Sequence, residues 1–223
     1  MNFLSEIAVI IPTLNAAASL PAALAALGPV GEVIVVDGGS SDATPDAARA
    51  AGARVIAATI GRGQQFAAGI QAASLPWLLL LHADTRLAPG WRDDAACHMR
   101  TNLGKAAYFR FALDSIDPRA RRLERMVAWR CRVLGLPYGD QGLLVHRDTL
   151  RAAGGMRALP LMEDVDLIRR IGRARLVGLT SAAVTSAAKW ERDGWYRRSV
   201  RNLFCLALWR LGVPPSLIAR IYG

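Results

Sequence analysis

Two side chains with metal-binding chemistry, His82 and Asp84, stand directly after a run of four leucines. Such a run predicts a strand that is buried on both faces, as the central strands of parallel sheets are. Sheets of this kind bind ligands just beyond the carboxyl ends of their strands. An imidazole and a carboxylate two positions apart can share a divalent ion that also binds a phosphorylated ligand. The plainer alternative is a buried histidine followed by an aspartate that caps a turn.

A second carboxylate, Asp37, follows another apolar run at residues 32–36 and precedes two glycines. The chain can turn tightly here, because glycine adopts backbone conformations that other residues disfavour. A carboxylate at a strand end can accept hydrogen bonds from a ribose or a base edge. Ser40 and Asp42 have a simpler explanation as helix caps, and capping is compatible with ligand binding at the same turn.

The elements that would position these side chains alternate along the first 90 residues. Strands are predicted at residues 7–11, 32–36, 54–58 and the leucine run, with alanine-rich helices at residues 16–27 and 64–73. This alternation predicts an α/β fold, a mostly parallel sheet with helices on both faces. The loops that begin at Pro12, Asp37 and His82 would then open at one edge of the sheet, where they can converge on one ligand.

Arg62 lies between two glycines, just before the helix predicted at residues 64–73. A helix N-terminus with a guanidinium beside it suits an anion, because the backbone N–H groups and the side chain all donate hydrogen bonds. The alternative is a loop arginine in solvent. The loop after the first strand, P-T-L-N, lacks the glycine fingerprint of a dinucleotide-binding fold, which argues against a nicotinamide cofactor.

The composition is that of a folded protein, since 223 residues with 52% hydrophobic content suffice for one large α/β domain. No apolar run approaches the roughly 18 residues that a membrane span requires, and no signal peptide is recognisable. Three widely spaced cysteines without a C-x-x-C pair favour reduced thiols over a zinc site. We therefore expect a cytoplasmic protein.

The net charge of +10 is unevenly distributed, since only three of the 28 basic residues precede Asp84. In the remainder, arginines are interleaved with apolar residues, above all in an amphipathic helix predicted at residues 117–134. This mixture suits phosphate groups or an anionic membrane surface, such as the inner face of the cell membrane, while a solvated surface helix is the ordinary explanation. No nucleic-acid-binding motif accompanies the charge, so a nucleic-acid partner is not expected.

Four motifs together resemble the nucleotide-binding half of the family 2 glycosyltransferases, which have the GT-A fold. They are P-T-L-N at 12–15, V-V-D-G-G-S-S-D-A-T at 35–44, G-R-G at 61–63 and L-L-L-L-H-A-D-T at 78–85. The H-A-D-T motif and the tail also resemble a compact bacterial subgroup that is loosely associated with arsenosugar biosynthesis. The resemblance implies a GT-A domain at residues 1–190, with a nucleotide-binding half (1–90) and an acceptor half (91–190), and a C-terminal amphipathic helical extension at 191–223.

The resemblance also implies a site for a nucleotide-sugar donor, with a UDP-sugar as the first expectation. The residues expected to bind the donor are Pro12, Thr13, Asn15, Asp37, Gly38, Ser40, Arg62, Gly63 and Ala83. His82-Ala83-Asp84 stands where the family has a D-x-D motif, so Asp84 and His82 are expected to bind Mn²⁺ or Mg²⁺. Histidine replaces the first aspartate of that motif, and its nitrogen suits these hard cations less well than carboxylate oxygen does.

In the second half, a G-x-Q-G-like segment, a glycine pair and an E-D motif follow one another in the order that the family shows. By this resemblance the acceptor side would be formed by Asp140, Gln141, Gly142 and Trp190. Asp164 is expected to be the base that takes the proton from the attacking hydroxyl, with Glu163 positioning the acceptor or orienting the loop. Carboxylates at a helix N-terminus are also explained by capping, which the helix dipole favours.

The sequence therefore predicts a metal-assisted, inverting glycosyltransferase that moves a sugar from a nucleoside diphosphate to a hydroxyl acceptor, either a small molecule or a lipid-linked one. K-W-E-R-D-G-W at residues 189–195 lacks the Q-x-x-R-W pattern of processive members, so polymerisation is not expected. Two other classes stay open at this stage. They are a nucleotidyltransferase on a related sheet and a noncatalytic module that binds nucleotides or lipids.

Overall fold

Residues 3–222 are described in a computed structural model, and they form one eight-stranded sheet with helices packed around it. The strands are β1 (Ile7–Thr13), β2 (Glu32–Asp37), β3 (Arg54–Ala57), β4 (Trp77–Leu80), β5 (Thr85–Leu87), β6 (Ala106–Leu113), β7 (Leu143–His146) and β8 (Leu176–Thr185). Their order across the sheet is β3-β2-β1-β4-β7-β6-β8-β5. Residues 1, 2 and 223, which the predicted divisions include, lie outside the described residues.

The helices follow the strands along the chain and cover the sheet. They are α1 (Leu20–Ala25), α2 (Thr44–Ala50), α3 (Arg62–Ala72), α4 (Trp91–Thr101), α5 (Pro118–Leu134), α6 (Arg147–Ala152), α7 (Glu163–Ile171), α8 (Ala188–Asp193), α9 (Trp195–Arg210) and α10 (Pro215–Tyr222). Short 3-10 segments lie at Phe3–Glu6, Gly139–Gln141 and Arg173–Arg175. Within the described part of the chain, no helix is both long and apolar enough to cross a membrane.

The first four strands form the parallel half of the sheet. β1 pairs in parallel with β2 and with β4, and β2 pairs in parallel with β3. Every residue of β1 and of β4 is buried, as the apolar runs predicted. The carboxyl ends of β1, β2 and β4 therefore open at one edge, which confirms the predicted α/β architecture.

The second half of the sheet is mixed. β7 runs antiparallel between β4 and β6, β6 pairs in parallel with β8, and the short β5 pairs antiparallel with β8. The sequence predicts a last strand at residues 175–179, but β8 continues to Thr185. Its later residues, T-S-A-A-V-T, are small or weakly apolar and give a poor strand signal. This extension carries the chain to the same edge at which β4 ends.

The two faces of the sheet bury separate cores, because successive side chains of a strand point to opposite faces. Val9 and Ile11 of β1 face one core, which includes Leu20 of α1 and Trp91 of α4. The alternate residues of β1 face the other core, with side chains from α3 and α7 that include Phe66 and Leu167. The sheet is thus held rigidly from both sides, which fixes the loops at its carboxyl edge.

The chain after β8 forms the helical extension that the sequence predicted. Trp195 of α9 packs with Phe111 of β6 and Val127 of α5, while Cys205 of α9 packs with Ile218 of α10. The boundary predicted between residues 190 and 191 falls within α8, and the division into domain and extension stays a prediction. This packing places α5, α8 and α9 beside the edge where β4 and β8 end.

Gly69 lets α3 lie directly against the sheet. A methyl group at this position would overlap Cγ2 of Ile10 and lie 2.9 Å from Cγ2 of Val36, both in the packed core. We expect Gly69→Ala to lower the free energy of unfolding by about 1–3 kcal/mol through overpacking, as measured by urea unfolding. Gly104→Ala is the matched control, because a methyl group there meets no atom within 4 Å. Equal stability of the two variants would contradict this account of α3 packing.

Candidate active site

A cavity of about 610 Å³, here called the donor cavity, opens at the carboxyl ends of β1 and β4. It is lined in part by seven of the residues predicted to bind a donor or a metal: Pro12, Thr13, Asn15, Arg62, His82, Ala83 and Asp84. They come from three separate loops, which the parallel half of the sheet brings to one edge. The structure therefore assembles this part of the predicted site in one place.

Asp37 orders the loop behind the donor cavity. Its Oδ1 accepts hydrogen bonds from the Thr13 hydroxyl (3.1 Å) and the Ser40 hydroxyl (2.6 Å). Its Oδ2 accepts from the backbone N–H groups of Gly39 (3.0 Å) and Ser40 (2.8 Å). Burial acts to raise the pKa of Asp37, but these hydrogen bonds hold it below its usual value. Asp37 is thus an ionised carboxylate that holds the loop at residues 38–40 against the end of β1.

Ser40 links this loop to the wall of the donor cavity, because its hydroxyl accepts a hydrogen bond from the backbone N–H of Asn15 (2.9 Å). Gly38 lies close to the Gln65 side chain, where an added methyl group would be 3.1 Å from Nε2. Gly63 is buried against the backbone of Leu159, with only 2.6 Å from its hypothetical methyl group to the carbonyl oxygen. Gly63 therefore serves close packing of the loop before α7.

A smaller cavity of about 140 Å³, here called the acceptor cavity, adjoins the first. Asp140, Asp164 and Trp190, which were predicted for the acceptor side or for catalysis, line it. Five residues line both cavities: Arg62, His82, Asp84, Ser186 and Lys189. Four of these five side chains are ionisable, and a ligand that extends from one cavity into the other would contact them.

Gly139 brings the two halves of the chain together at this boundary. A methyl group on its Cα would lie 2.7 Å from His82 Nε2 and 3.2 Å from Asp164 Oδ2. The Gly139 N–H donates a hydrogen bond to Asp164 Oδ2 (2.7 Å), and the Val165 N–H donates to Oδ1 (2.8 Å). The absence of a side chain at Gly139 thus lets the imidazole and the carboxylate flank one backbone position.

Backbone strain also concentrates here. Among the described residues, the non-glycine positions with positive φ are Asn15 (50°) and Met162 (63°). Asn15 lines the donor cavity and Met162, directly before α7, lines the acceptor cavity. Left-handed conformations of such residues cost free energy and tend to occur where function requires a fixed geometry.

His82 is held as a neutral imidazole. Burial, and next the positive charge of Arg62, lower its pKa to about 4 against the opposing effect of Asp84 and Asp164. Its ring stacks on Phe66 with a centroid distance of 6.2 Å, and its Nε2 is buried without a hydrogen-bond partner in the protein. A buried ring nitrogen without a hydrogen-bond partner destabilises the folded protein, so a ligand that binds to His82 Nε2 would remove an unfavourable contribution.

Asp84 is paired with Lys189, whose Nζ lies 2.9 Å from Oδ2. Burial acts to raise the pKa of Asp84, but Lys189 and His82 hold it below its usual value. Lys189 reaches the site from the first turn of α8, and more than half of its side chain is exposed. Its ammonium group is therefore accessible to a bound anion as well as to Asp84.

Glu163 lies behind Arg62 rather than in the acceptor cavity. Its Oε1 is 2.9 Å from Arg62 Nε, although the approach is not aligned for a hydrogen bond. Burial, and next the charge of Asp164, raise the pKa of Glu163 to about 7, while Arg62 opposes the shift. In this structure Glu163 therefore contacts Arg62 and helps to position it at the boundary of the cavities. Its predicted role toward an acceptor stays a prediction.

The carboxyl group of Asp140 has a raised pKa. Burial raises its pKa to about 6, with Arg130 acting against the shift and Asp164 adding to it. The residue as a whole is half-buried, but its Oδ1 is fully enclosed and lacks a hydrogen-bond partner. Arg130 itself lies over the Tyr138 ring, 3.4 Å from its centroid.

The structure corrects the prediction that Gln141 contacts an acceptor. Gln141 is 1% exposed, and its amide donates to the Phe109 carbonyl oxygen (3.0 Å) while its Oε1 accepts from Arg130 (3.2 Å). Gly142 likewise lies inside, where a methyl group would be 3.3 Å from Leu81 Cδ1. Both residues shape the turn that presents Gly139 and Asp140, because their neighbours leave them no access to the cavity.

Three groups that line the acceptor cavity have donor atoms that suit a divalent cation. His82 Nε2 and Asp140 Oδ1 are buried and unpaired, and Asp84 lies on the same cavity wall. Nevertheless, within residues 3–222 no three His, Cys, Asp or Glu side chains are gathered tightly enough to hold an ion alone. Mg²⁺ often needs only one or two carboxylates when substrate phosphates supply further oxygen ligands. The side chains fit a cation of that kind, shared with a bound phosphate.

Sequence reasoning did not single out several residues that the structure places at the site, above all Lys189, Tyr138, Gly139 and Gln65. Gln65 donates hydrogen bonds to the carbonyl oxygens of Thr13 (2.8 Å) and Val36 (2.7 Å), which ties β1 to β2 at their ends. In an alanine-rich helix it looks like an ordinary solvated residue. Gly139 could have been predicted, because it is the first residue of the G-x-Q-G-like segment.

This arrangement, with two adjoining cavities at the carboxyl edge of a mostly parallel half-sheet, fits the GT-A fold that the sequence motifs imply. The sequence profile described as "Glycosyl transferase family 2" matches residues 8–158, which is more than half of the chain. The chain therefore belongs to the family 2 glycosyltransferases and is an enzyme of that class. No curated protein matches the sequence.

Solved structures of glucosyl-3-phosphoglycerate synthase from Mycobacterium tuberculosis share the fold. The complex with Mn²⁺, UDP and glucosyl-3-phosphoglycerate is 22% identical, with a TM-score of 0.60, and the match covers 93% of this chain and 80% of that chain. The complex with Mn²⁺, UDP-glucose and phosphoglyceric acid (21% identical, TM-score 0.60) and the complex with Mg²⁺ and UDP (20%, 0.60) show the same coverage. The likeness confirms the GT-A fold.

The raised pKa of Glu163 makes stability depend on pH. The stabilisation that comes from protonated Glu163 is complete below about pH 4.5 and is lost as the pH rises through about 7, because the folded protein then has to bury the ionised form. Glu163→Gln stays neutral, so we expect its stability relative to the native protein to increase from about pH 5 to 8. Urea unfolding at several pH values measures this trend. Glu191→Gln, at an exposed position, is the control and should show no such trend.

Proposed function

We propose that this enzyme transfers a sugar, with inversion, from a nucleoside-diphosphate donor to a single hydroxyl of its acceptor. The observation that carries the proposal is the meeting of the two cavities at Arg62, His82, Asp84 and Lys189, with Asp164 on the acceptor side alone. A donor in the larger cavity would place its diphosphate and its anomeric carbon at this boundary. An acceptor hydroxyl in the smaller cavity would then face that carbon and Asp164 together.

A UDP-sugar is the donor that we propose, with UDP-glucose as the first to test. The mycobacterial structures of the same fold hold UDP or UDP-glucose. In this chain Arg62 and Lys189 are the cations at the boundary of the cavities, and both can donate to diphosphate oxygens. Positive groups already in place where negative charge develops on the leaving group stabilise the transition state at little cost of reorganisation.

Asp164 is the base in this proposal. The acceptor O–H would donate to its carboxylate, and as the oxygen attacks the anomeric carbon, the bond to the diphosphate breaks and the proton moves to Asp164. The hydrogen bonds from Gly139 and Val165 hold the carboxylate in one orientation, which reduces the entropy that must be lost on reaction. Asp140 lies beside it and is the natural partner for a second acceptor hydroxyl.

A divalent metal fits the same boundary, where Asp84 and His82 would help to hold it with the donor diphosphate. Bound there, the ion would neutralise part of the charge on the leaving diphosphate. Asp84 would then bind the ion, and Lys189, which pairs with Asp84 in this structure, could pair with a phosphate instead. The cytoplasmic location, the contact with an anionic membrane surface and the arsenosugar association stay predictions.

Asp164→Asn tests the base. The substitution preserves shape but removes the proton acceptor, so we expect kcat for UDP release from UDP-glucose, measured with acceptor present, to fall by about 10²–10⁴-fold. The Kd for UDP and the melting temperature should remain close to the native values. Asp148→Asn, an exposed carboxylate on α6, serves as the control and should retain full activity. Near-normal transfer by Asp164→Asn would show that another group is the base.

Titration calorimetry with Mn²⁺ in the presence of UDP tests the metal. We expect Asp84→Ala to weaken Mn²⁺ binding by about tenfold or more, because a carboxylate ligand is lost. Lys189→Met should strengthen the binding of Mn²⁺ without nucleotide, since the competing ammonium group is gone. Removal of the metal with a chelator should also lower the affinity for UDP. Unchanged Mn²⁺ affinity in Asp84→Ala would exclude Asp84 as a ligand.

A further inference from the structure

A second large concavity, here called the α5–α9 cleft, lies between the helices α5 and α9 and has a volume of about 410 Å³. Phe111 of β6 lies within it, and its walls carry the half-exposed apolar side chains of Met126 (56% exposed), Trp129 (54%) and Leu203 (54%). Apolar surface left open in a concave site of this size is characteristic of ligand-binding sites rather than of ordinary solvated surface.

The cleft is continuous with the acceptor cavity. Four residues line both spaces: Tyr138, Asp140, Trp190 and Asn202. A molecule whose hydroxyl lies near Asp164 can therefore extend past Tyr138 and Trp190 and enter the cleft without leaving the protein surface. The donor cavity shares no lining residue with the cleft among the residues described. The cleft thus belongs to the acceptor side of the site.

The contacts at the entrance are rigid. Arg130 lies over the Tyr138 ring and donates through Nε to the Leu136 carbonyl oxygen (2.8 Å), and Trp190 stacks on Trp195 with a centroid distance of 6.2 Å. Aromatic side chains that are already held in place lose little entropy when an apolar ligand binds between them. An apolar chain is therefore the occupant that this entrance favours.

We propose that the acceptor of this glycosyltransferase is an amphiphile, with a hydroxyl-bearing head in the acceptor cavity and an apolar chain in the α5–α9 cleft. The identification of the chain as part of the acceptor rests on the proposed function, because it assumes transfer beside Asp164. The affinity of the cleft for apolar chains does not depend on transfer. A dimer interface is the alternative use of such an apolar surface. It would not explain why the cleft is continuous with the acceptor cavity.

Binding of n-alkyl β-glucosides tests the proposal without any donor. Methyl, hexyl and octyl β-glucoside share one hydroxylated head and differ only in the apolar chain. Each methylene group that the cleft buries strengthens binding about fourfold, so octyl β-glucoside should bind at least about tenfold more tightly than the methyl compound. Titration calorimetry below the micelle-forming concentration measures the three affinities.

Leu203→Gln and Met126→Gln locate the binding. Both positions are half exposed, so the substitutions leave the folded core intact, and we expect each to reduce the preference for octyl over methyl β-glucoside by about threefold or more. Leu103→Gln is the matched control, since Leu103 is similarly exposed (61%) and does not line the cleft. It should keep the native preference.

Three results would overturn the proposal. They are equal affinity for methyl and octyl β-glucoside, a chain-length preference that survives in Leu203→Gln, and a native dimer that Leu203→Gln converts to a monomer in sedimentation. The last result would make the cleft an interface between copies. Absence of any sugar transfer from nucleoside-diphosphate donors would instead refute the proposed function alone, because the glucoside affinities are measured without donor.

Discussion

The contact of Gly139 with His82 and Asp164 is the constraint on which the site depends. It joins the end of β4, which the parallel half of the sheet positions, to the start of α7, which belongs to the mixed half. Because a methyl group at Gly139 would overlap His82 Nε2 and crowd Asp164 Oδ2, the close approach favours glycine at this position. The acceptor cavity, the orientation of Asp164 and the unpaired nitrogen of His82 all follow from that approach.

Charge balance sets the second condition. Burial raises the pKa of Asp140 and of Glu163, the negative charge of Asp164 adds to both shifts, and the positive charges of Arg130 and Arg62 oppose them. Buried carboxylates without enough partners are unfavourable, so the site is stabilised by ligands that bring or accept positive charge. A diphosphate with its cation does both, since the cation binds carboxylates and the phosphates bind Arg62 and Lys189. The ion pair of Lys189 with Asp84 is thus a ground state that donor binding would rearrange.

The donor side could be predicted from the sequence, because its signals are local. Uninterrupted apolar runs mark β1, β2 and β4, and the polar residues of the site follow them directly, as His82 and Asp84 follow four leucines. The acceptor side could not be predicted to the same depth. Lys189 reaches Asp84 across 105 positions of sequence, and that pairing depends on the late course of β8. Gln141 has the polarity of a ligand-binding residue, yet the packing of α5 against its turn directs it inward.

The uneven charge of the chain has a structural counterpart at the outer side of the site. A cavity of about 720 Å³ is lined by Arg62, Lys189, Arg192, Arg197, Arg198 and Arg201, with Asp193 as the acidic residue among them. Asp193 pairs with Arg192 and Arg198, so it orders the cluster without neutralising it. A positive field in a concave surface concentrates anions near it and speeds their capture. Since Arg62 and Lys189 belong to this cavity and to the donor cavity, the field leads to the place where a diphosphate would bind. Five of the 25 basic residues that follow Asp84 thus line a cavity that adjoins the donor cavity, whereas the apolar α5–α9 cleft lies on the acceptor side of the same boundary.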